Sequence, residues 1–227
     1  MHIPAIDSSA VLWSVPREKV AHELADRPLL LMMHGYGSHE GDLFPLAQYL
    51  PEDFVVASIR APLNLGMGHA WFNIVFDDAN NTLRRDPEEV NHATEQLIAW
   101  IDELEREVGE LNRISLLGFS QGGVMMTQLL RYQPHRYDAG VLLAGFALLD
   151  TSNEAKERDK ILSEVKPPVF WGRDPQDPVI TPDLIDFTRR WLPEHSDLDA
   201  RLYGSVGHSL SLEELQDVNL FLSDHSL

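Results

Sequence analysis

Apolar residues fall along this chain in two alternating patterns. Short uninterrupted runs occupy residues 29–33, 54–59, 114–117, 139–145 and 168–172, each closed within a few positions by glycine or proline. Runs this short, with no helical spacing, predict strands of a parallel sheet covered on both faces. Residues 10–15 predict a short edge strand ended by Pro16, and residues 199–203 a last short strand. Between the runs, apolar residues recur at steps of three and four, the spacing of a helix with one buried face. Residues 42–50 predict such a helix through Leu43, Leu46, Ala47 and Leu50, stopped by Pro51. A longer one starts at Asp86–Pro87, with Glu89 completing a capping box, runs through Val90, Ala93, Leu97, Ile101, Leu104 and Val108, and closes at Gly109. Val124, Met125, Leu129 and Leu130 place another before Pro134, and Leu184, Ile185, Phe187 and Trp191 one after Thr181–Pro182–Asp183. A final helix opens on a capping box from Ser211 to Glu214, with Leu215, Val218, Leu220 and Leu222 as its inner face. Residues 63–73 predict a glycine-containing loop, residues 77–85 a polar exposed segment, and residues 146–165 a mostly polar loop with a helical piece. Strand and helix alternate to the end, which implies an α/β fold with a mostly parallel central sheet and helices on both faces. No repeat, low-complexity stretch or linker interrupts the order, so one domain over residues 1–227 is expected.

One junction carries chemistry. Between the run ending at Leu117 and the helix through Val124 lies Gly118–Phe119–Ser120–Gln121–Gly122, a G-x-S-x-G sequence. On a tight strand-to-helix turn this pattern lifts the serine hydroxyl out of the sheet, and glycine permits the close backbone approach. The bare pattern is common in loops, and its position between a buried strand and a helix is what makes it informative. Two more polar residues share that address, each beyond the C-terminal end of a predicted strand: Asp177 after residues 168–172 and His208 after residues 199–203. In a parallel sheet those ends lie along one edge, where open α/β sheets build their sites. The chain order Ser120, Asp177, His208 is that of a hydrolase triad. A hydroxyl needs a base during attack, which His208 supplies near neutral pH, and a carboxylate fixes the imidazole tautomer. Asp174 lies in the same loop as Asp177 and stands as the alternative acid. The glycine-rich turn His34–Gly35–Tyr36–Gly37 follows the first buried run, so the backbone N–H groups of Tyr36 and Gln121 are the candidate oxyanion donors. Trp71 and Phe72, with Leu63 and Met67 of the preceding loop, are the candidate substrate-binding residues.

Composition narrows the function. A formal net charge of −18 opposes binding to nucleic acid or anionic membranes. The absence of cysteine excludes disulfides, thiolate metal sites and a cysteine nucleophile. Neither an H-E-x-x-H metal spacing nor a phosphate-binding G-x-x-x-x-G-K-[ST] occurs, so no cofactor and no metal are expected. No apolar run approaches the length of a membrane span, and residues 1–15 lack the pattern of a signal peptide, so a cytoplasmic protein without stable membrane insertion is expected.

Taken together, His34–Gly37, Arg60–Ala61–Pro62, Ala70–Trp71–Phe72–Asn73, Gly118–Phe119–Ser120–Gln121–Gly122–Gly123, Asp177–Pro178–Val179–Ile180 and Gly207–His208 resemble the carboxylesterase/phospholipase branch of the α/β-hydrolases, which includes the acyl-protein thioesterases. The resemblance implies Ser120 as nucleophile, Asp177 as acid, His208 as base, and the N–H groups of Tyr36 and Gln121 as the oxyanion hole. Three positions depart from the family pattern. Asn73 replaces an aspartate, two extra residues precede the acid, and Tyr36 stands where leucine is usual. The expectation is a serine hydrolase of small-molecule carboxylic esters or thioesters, acting as a monomer or weak homodimer. Two rivals are a lysophospholipase or acyl-protein thioesterase using long acyl chains, and a non-catalytic relative binding a small ligand.

Overall fold

The seven expected strands form, with ends shifted by a residue or two, and two small hairpins form where the sequence predicts a loop and a polar exposed segment. In chain order they are β1 (Leu12–Trp13), β2 (Leu29–Met33), β3 (Val55–Ile59), the small hairpins β4 (Leu63–Asn64) with β5 (His69–Ala70) and β6 (Val75–Asp77) with β7 (Thr82–Arg84), then β8 (Ile114–Phe119), β9 (Ala139–Leu143), β10 (Pro168–Arg173) and β11 (Asp197–Leu202). The helices are α1 (Val20–Leu24), α2 (Glu40–Leu43), α3 (Pro87–Val108), α4 (Gln121–Tyr132), α5 (Asn153–Val165), α6 (Pro182–His195) and α7 (Leu212–Ser226). The computed structural model describes residues 3–77 and 82–226. Seven strands pair in the order β1-β3-β2-β8-β9-β10-β11. Only the edge strand β1 runs antiparallel to its neighbour.

Alternate residues of each buried strand feed two cores, as the pleat requires. Leu29, Leu31, Met33, Leu116, Val169 and Trp171 join one core, shared with α3, α4 and α6. Leu30, Met32, Leu117, Phe170 and their neighbours join the other, closed by Leu43, Val218, Phe221 and Leu222. A run buried on both sides is therefore apolar at every position, which is why β2 reads LLLMM. The register also aligns the C-terminal strand ends: Met33 pairs with Gly118, Phe119 with Leu143, Leu143 with Gly172, and Arg173 with Leu202. Loops leaving β2, β8, β10 and β11 consequently emerge along one rim.

Four expectations are corrected. Residues 42–50 form a short α-helix, α2, followed by a 3-10 stretch over Phe44–Tyr49. Pro45 has no N–H to continue an α-helical ladder. On α7, Leu220 is 61% exposed and Phe221 takes its place in the core. Glu89 does not complete its capping box with its carboxylate, whereas Ser211 caps α7 by accepting from Glu214 N–H at 3.0 Å. Glu89 accepts instead from the backbone N–H of Asn73 at 2.9 Å and its amide at 2.6 Å, while the Glu214 side chain is buried. The segment 77–85 was expected to be exposed; its residues 78–81 lie outside the described residues, and Arg85 is half-buried.

Candidate active site

The turn after β8 is the pivot. Ser120 adopts φ 53° and ψ −114°, a strained conformation for a residue with a Cβ. It is held by its own N–H, which donates to Leu143 O at 2.9 Å, and by its carbonyl, which accepts from Gly123 N–H at 3.0 Å. The turn closes only because Gly118 and Gly122 lack side chains. A Cβ on Gly118 would lie 2.2 Å from Gly122 O, and one on Gly122 would lie 1.9 Å from Met33 O. α4 thus starts hard against β2.

At that rim, residues from three distant loops meet. His208 Nε2 lies 2.9 Å from Ser120 Oγ, and His208 Nδ1 lies 2.8 Å from Asp177 Oδ2. A carboxylate can only accept, so Nδ1 carries the proton and Nε2 accepts from the serine hydroxyl. Asp177 Oδ1 in turn accepts from the N–H groups of Val179 at 2.8 Å and Ile180 at 3.3 Å, which fixes its rotamer. Phe119 packs beneath the imidazole, with ring centroids 5.0 Å apart. Asp174 does different work. Its Oδ1 accepts from Gln176 N–H, and its Oδ2 accepts from both Val206 and Gly207 N–H, all at 2.7 Å. These bonds hold its carboxyl below the usual aspartate range. It ties the loop after β10 to the loop that carries His208.

The candidate oxyanion donors are placed by two side chains whose roles the sequence did not reveal. Gln121 is buried, and its amide clamps the loop after β5: Oε1 accepts from Trp71 N–H at 2.9 Å, and Nε2 donates to Phe72 O at 2.7 Å. Trp71 Nε1 then donates to His34 O at 2.8 Å. His34 is fully buried, and burial pushes its pKa down to about 4, so the neutral ring both donates to Gly35 O and accepts from Ala61 N–H. The Tyr36–Gly37 turn is therefore held from both sides. Tyr36 and Gln121 border the same cavity as Ser120 and His208.

That cavity encloses about 500 Å³ and is walled mainly by Phe72, Ile74, Phe119, Phe146 and Ile180. Of the four candidate substrate-binding residues, Phe72 is in this wall, whereas Trp71, Leu63 and Met67 are not among its lining residues. Trp71 is sequestered by the bond to His34, Leu63 packs against the core, and Met67 is fully exposed. Arg85 also lines the cavity, its guanidinium 4.8 Å from the Phe146 ring centroid, and burial lowers its pKa against the opposing charge of Asp183. Its neighbours in sequence give no hint of this, because Phe146 lies 61 residues further along the chain. No group of three or more potential metal ligands and no helix long and apolar enough to cross a membrane occurs among the described residues.

Comparison with known proteins identifies the family. The phospholipase/carboxylesterase family profile matches residues 18–226. Acyl-protein thioesterase 1 of Kluyveromyces lactis is 30% identical over 214 residues, 86% of this chain and 90% of that protein. Acyl-protein thioesterase 1 of Neurospora crassa is 29% identical over 74% of this chain and 70% of its own length. Among solved structures, a Bacillus cereus carboxylesterase superposes with a TM-score of 0.73 at 19% identity, covering 94% of this chain and 93% of that one. With its sheet order and rim already described, the chain belongs to the phospholipase/carboxylesterase family of α/β-hydrolases and is a carboxylic ester hydrolase.

Proposed function

We propose that the protein cleaves esters and thioesters through an acyl-enzyme on Ser120. The observation that carries this reading is the hydrogen-bonded chain from Asp177 through His208 to Ser120, 2.8 Å and 2.9 Å long at its two links, at the edge of an apolar cavity. Ser120 Oγ attacks the carbonyl carbon while His208 Nε2 takes its proton, and Asp177 stabilises the imidazolium. The carbonyl oxygen becomes an anion facing the N–H groups of Tyr36 and Gln121, where each preset donor is worth about 2.7–4 kcal/mol of barrier. As the carbon–oxygen or carbon–sulfur bond breaks, His208 returns the proton to the leaving group. Water, deprotonated by the same imidazole, then releases the acid and restores Ser120.

Short-chain nitrophenyl esters and a fluorophosphonate probe test this directly. The wild type should turn over the esters and take up the probe. Ser120→Ala should lose the label and at least about 10⁴-fold in kcat; full turnover by this variant would refute the assignment. A second reading, deacylation of long acyl chains, draws support from the cavity's apolar wall and from the thioesterase relatives. It predicts that kcat/KM rises steadily with acyl length, and a maximum at short chains would exclude it.

A further inference from the structure

A second cavity adjoins the first and has no part in the chemistry so far. It encloses about 590 Å³ and shares Asp42, Phe119 and His208 with the cavity over Ser120. One wall is α2 with the 3-10 stretch after it, contributing Leu43, Leu46 and Tyr49. The other is the entry to α7, contributing Leu210, Leu212 and Leu215. The first cavity holds the hydroxyl and the oxyanion N–H groups. The second holds neither, and extends past the imidazole along Ser209 and Ser211.

We infer that this second groove is the leaving-group subsite, and that it takes an uncharged, apolar alcohol or thiol. The inference rests on the acyl-enzyme reading. The leaving atom must receive its proton from His208 Nε2, so it departs on the imidazole's side, away from the oxyanion donors. The chain attached to that atom therefore continues past His208, where the groove begins. Its leucine and tyrosine walls offer apolar burial to that chain. Asp42 stands at the junction, its carboxylate accepting from Ser38 Oγ at 2.7 Å, and no lysine or arginine lines the groove among the described residues. A leaving group that carries a carboxylate or phosphate meets a like charge there with no lysine or arginine to offset it.

The test uses the full chain and two series of esters. One keeps the acyl group fixed and varies the alcohol from methyl to naphthyl, with a carboxylate-bearing naphthol as the anionic member. The other keeps the alcohol fixed and lengthens the acyl group. Leu212→Trp, at a position 57% exposed on the groove's rim, narrows it without disturbing the core. The naphthyl-to-methyl ratio of kcat/KM should fall about tenfold in this variant, while the ratio across acyl lengths stays constant. In Asp42→Asn the neutral-to-anionic naphthyl ratio should fall about two- to fivefold, and the fall should shrink at high salt. Should the acyl-length ratio move instead, or neither leaving-group ratio move, the groove is not the leaving-group subsite. Were the wild type to hydrolyse no ester at all, the acyl-enzyme reading would fail first and take this inference with it.

Discussion

Asp174 and Asp177 stand three residues apart on one loop, and nothing in their side-chain chemistry separates them. Their partners do. In the proposed mechanism Asp177 faces an imidazole that becomes a cation during attack, whereas Asp174 faces backbone N–H groups that need an acceptor throughout. Replacing each tests the division. Asp177→Asn keeps the shape but loses the fixed tautomer and the charge, so kcat should fall about 10⁴-fold while Tm stays near that of the wild type. Asp174→Ala strands three N–H groups and should lower Tm and kcat together. The depressed pKa of Asp174 also gives a sign: its stabilisation is present above the ordinary aspartate range and is lost as pH falls below that range through the lower folded value, a dependence the alanine variant should lack. Kinetics and thermal melts at several pH values check both. Residue types and chain order nominated both aspartates and favoured Asp177, and it is their hydrogen-bond partners in space that separate the two roles. Asn73 shows the same limit. It reads as a departure from an expected aspartate, and only in space does its amide prove to be a donor to the buried Glu89 carboxylate, which a second carboxylate would repel.

Elements were legible where burial decided them and illegible where local chemistry did. β2, β3 and β9 are apolar because both faces are covered, and that signal survives without any structure. The segment after α2 fails because Pro45 breaks the ladder within an otherwise helical spacing, and Leu220 fails because apolar character alone does not place a residue on the inner face. The strand–turn–helix at Ser120 was legible as a pattern, but its glycines carry unequal loads. A Cβ on Gly122 would meet the Met33 carbonyl at 1.9 Å, a backbone group pinned in the sheet, whereas one on Gly123 would meet the flexible end of Leu142 at 2.4 Å. Gly122→Ala should therefore cost about 3 kcal/mol in urea unfolding and displace the hydroxyl, lowering kcat as well. Gly123→Ala should be the milder of the two, at about 1 kcal/mol, because a leucine rotamer can give way. Equal losses would mean that the strand and helix do not depend on this close approach.

At the scale of the molecule, alternation of strand and helix predicted a parallel sheet, but the strand order and the pairing of loops along the rim depend on long-range contacts that no local pattern records. The charge balance was legible in full, and one carboxyl escapes its logic. Among the acidic residues behind the net charge of −18, Glu214 is fully buried on α7, pressed against Gly172 of β10, where an added Cβ would stand 2.1 Å from its oxygen. Neither carboxyl oxygen makes a well-formed hydrogen bond among the described residues, and the nearby Ser211 N–H offsets only part of the burial. Burial, helped by the nearby charge of Asp217, pushes its pKa up to about 7. The unfolded chain ionises this group at its ordinary value, so the folded protein holds the extra proton between the two. Stability from this group is thus greatest at acid pH and declines as pH rises through about 7. Glu214→Gln keeps the shape without the ionisation. Relative to the wild type, it should be nearly neutral at pH 5 and more stable at pH 8, by up to ~3 kcal/mol. Denaturant titrations of both proteins at the two pH values measure the difference. A gap that does not widen with pH would mean that the carboxylate is solvated in the folded state, and that β10 and α7 part enough to admit water behind the loop that carries His208.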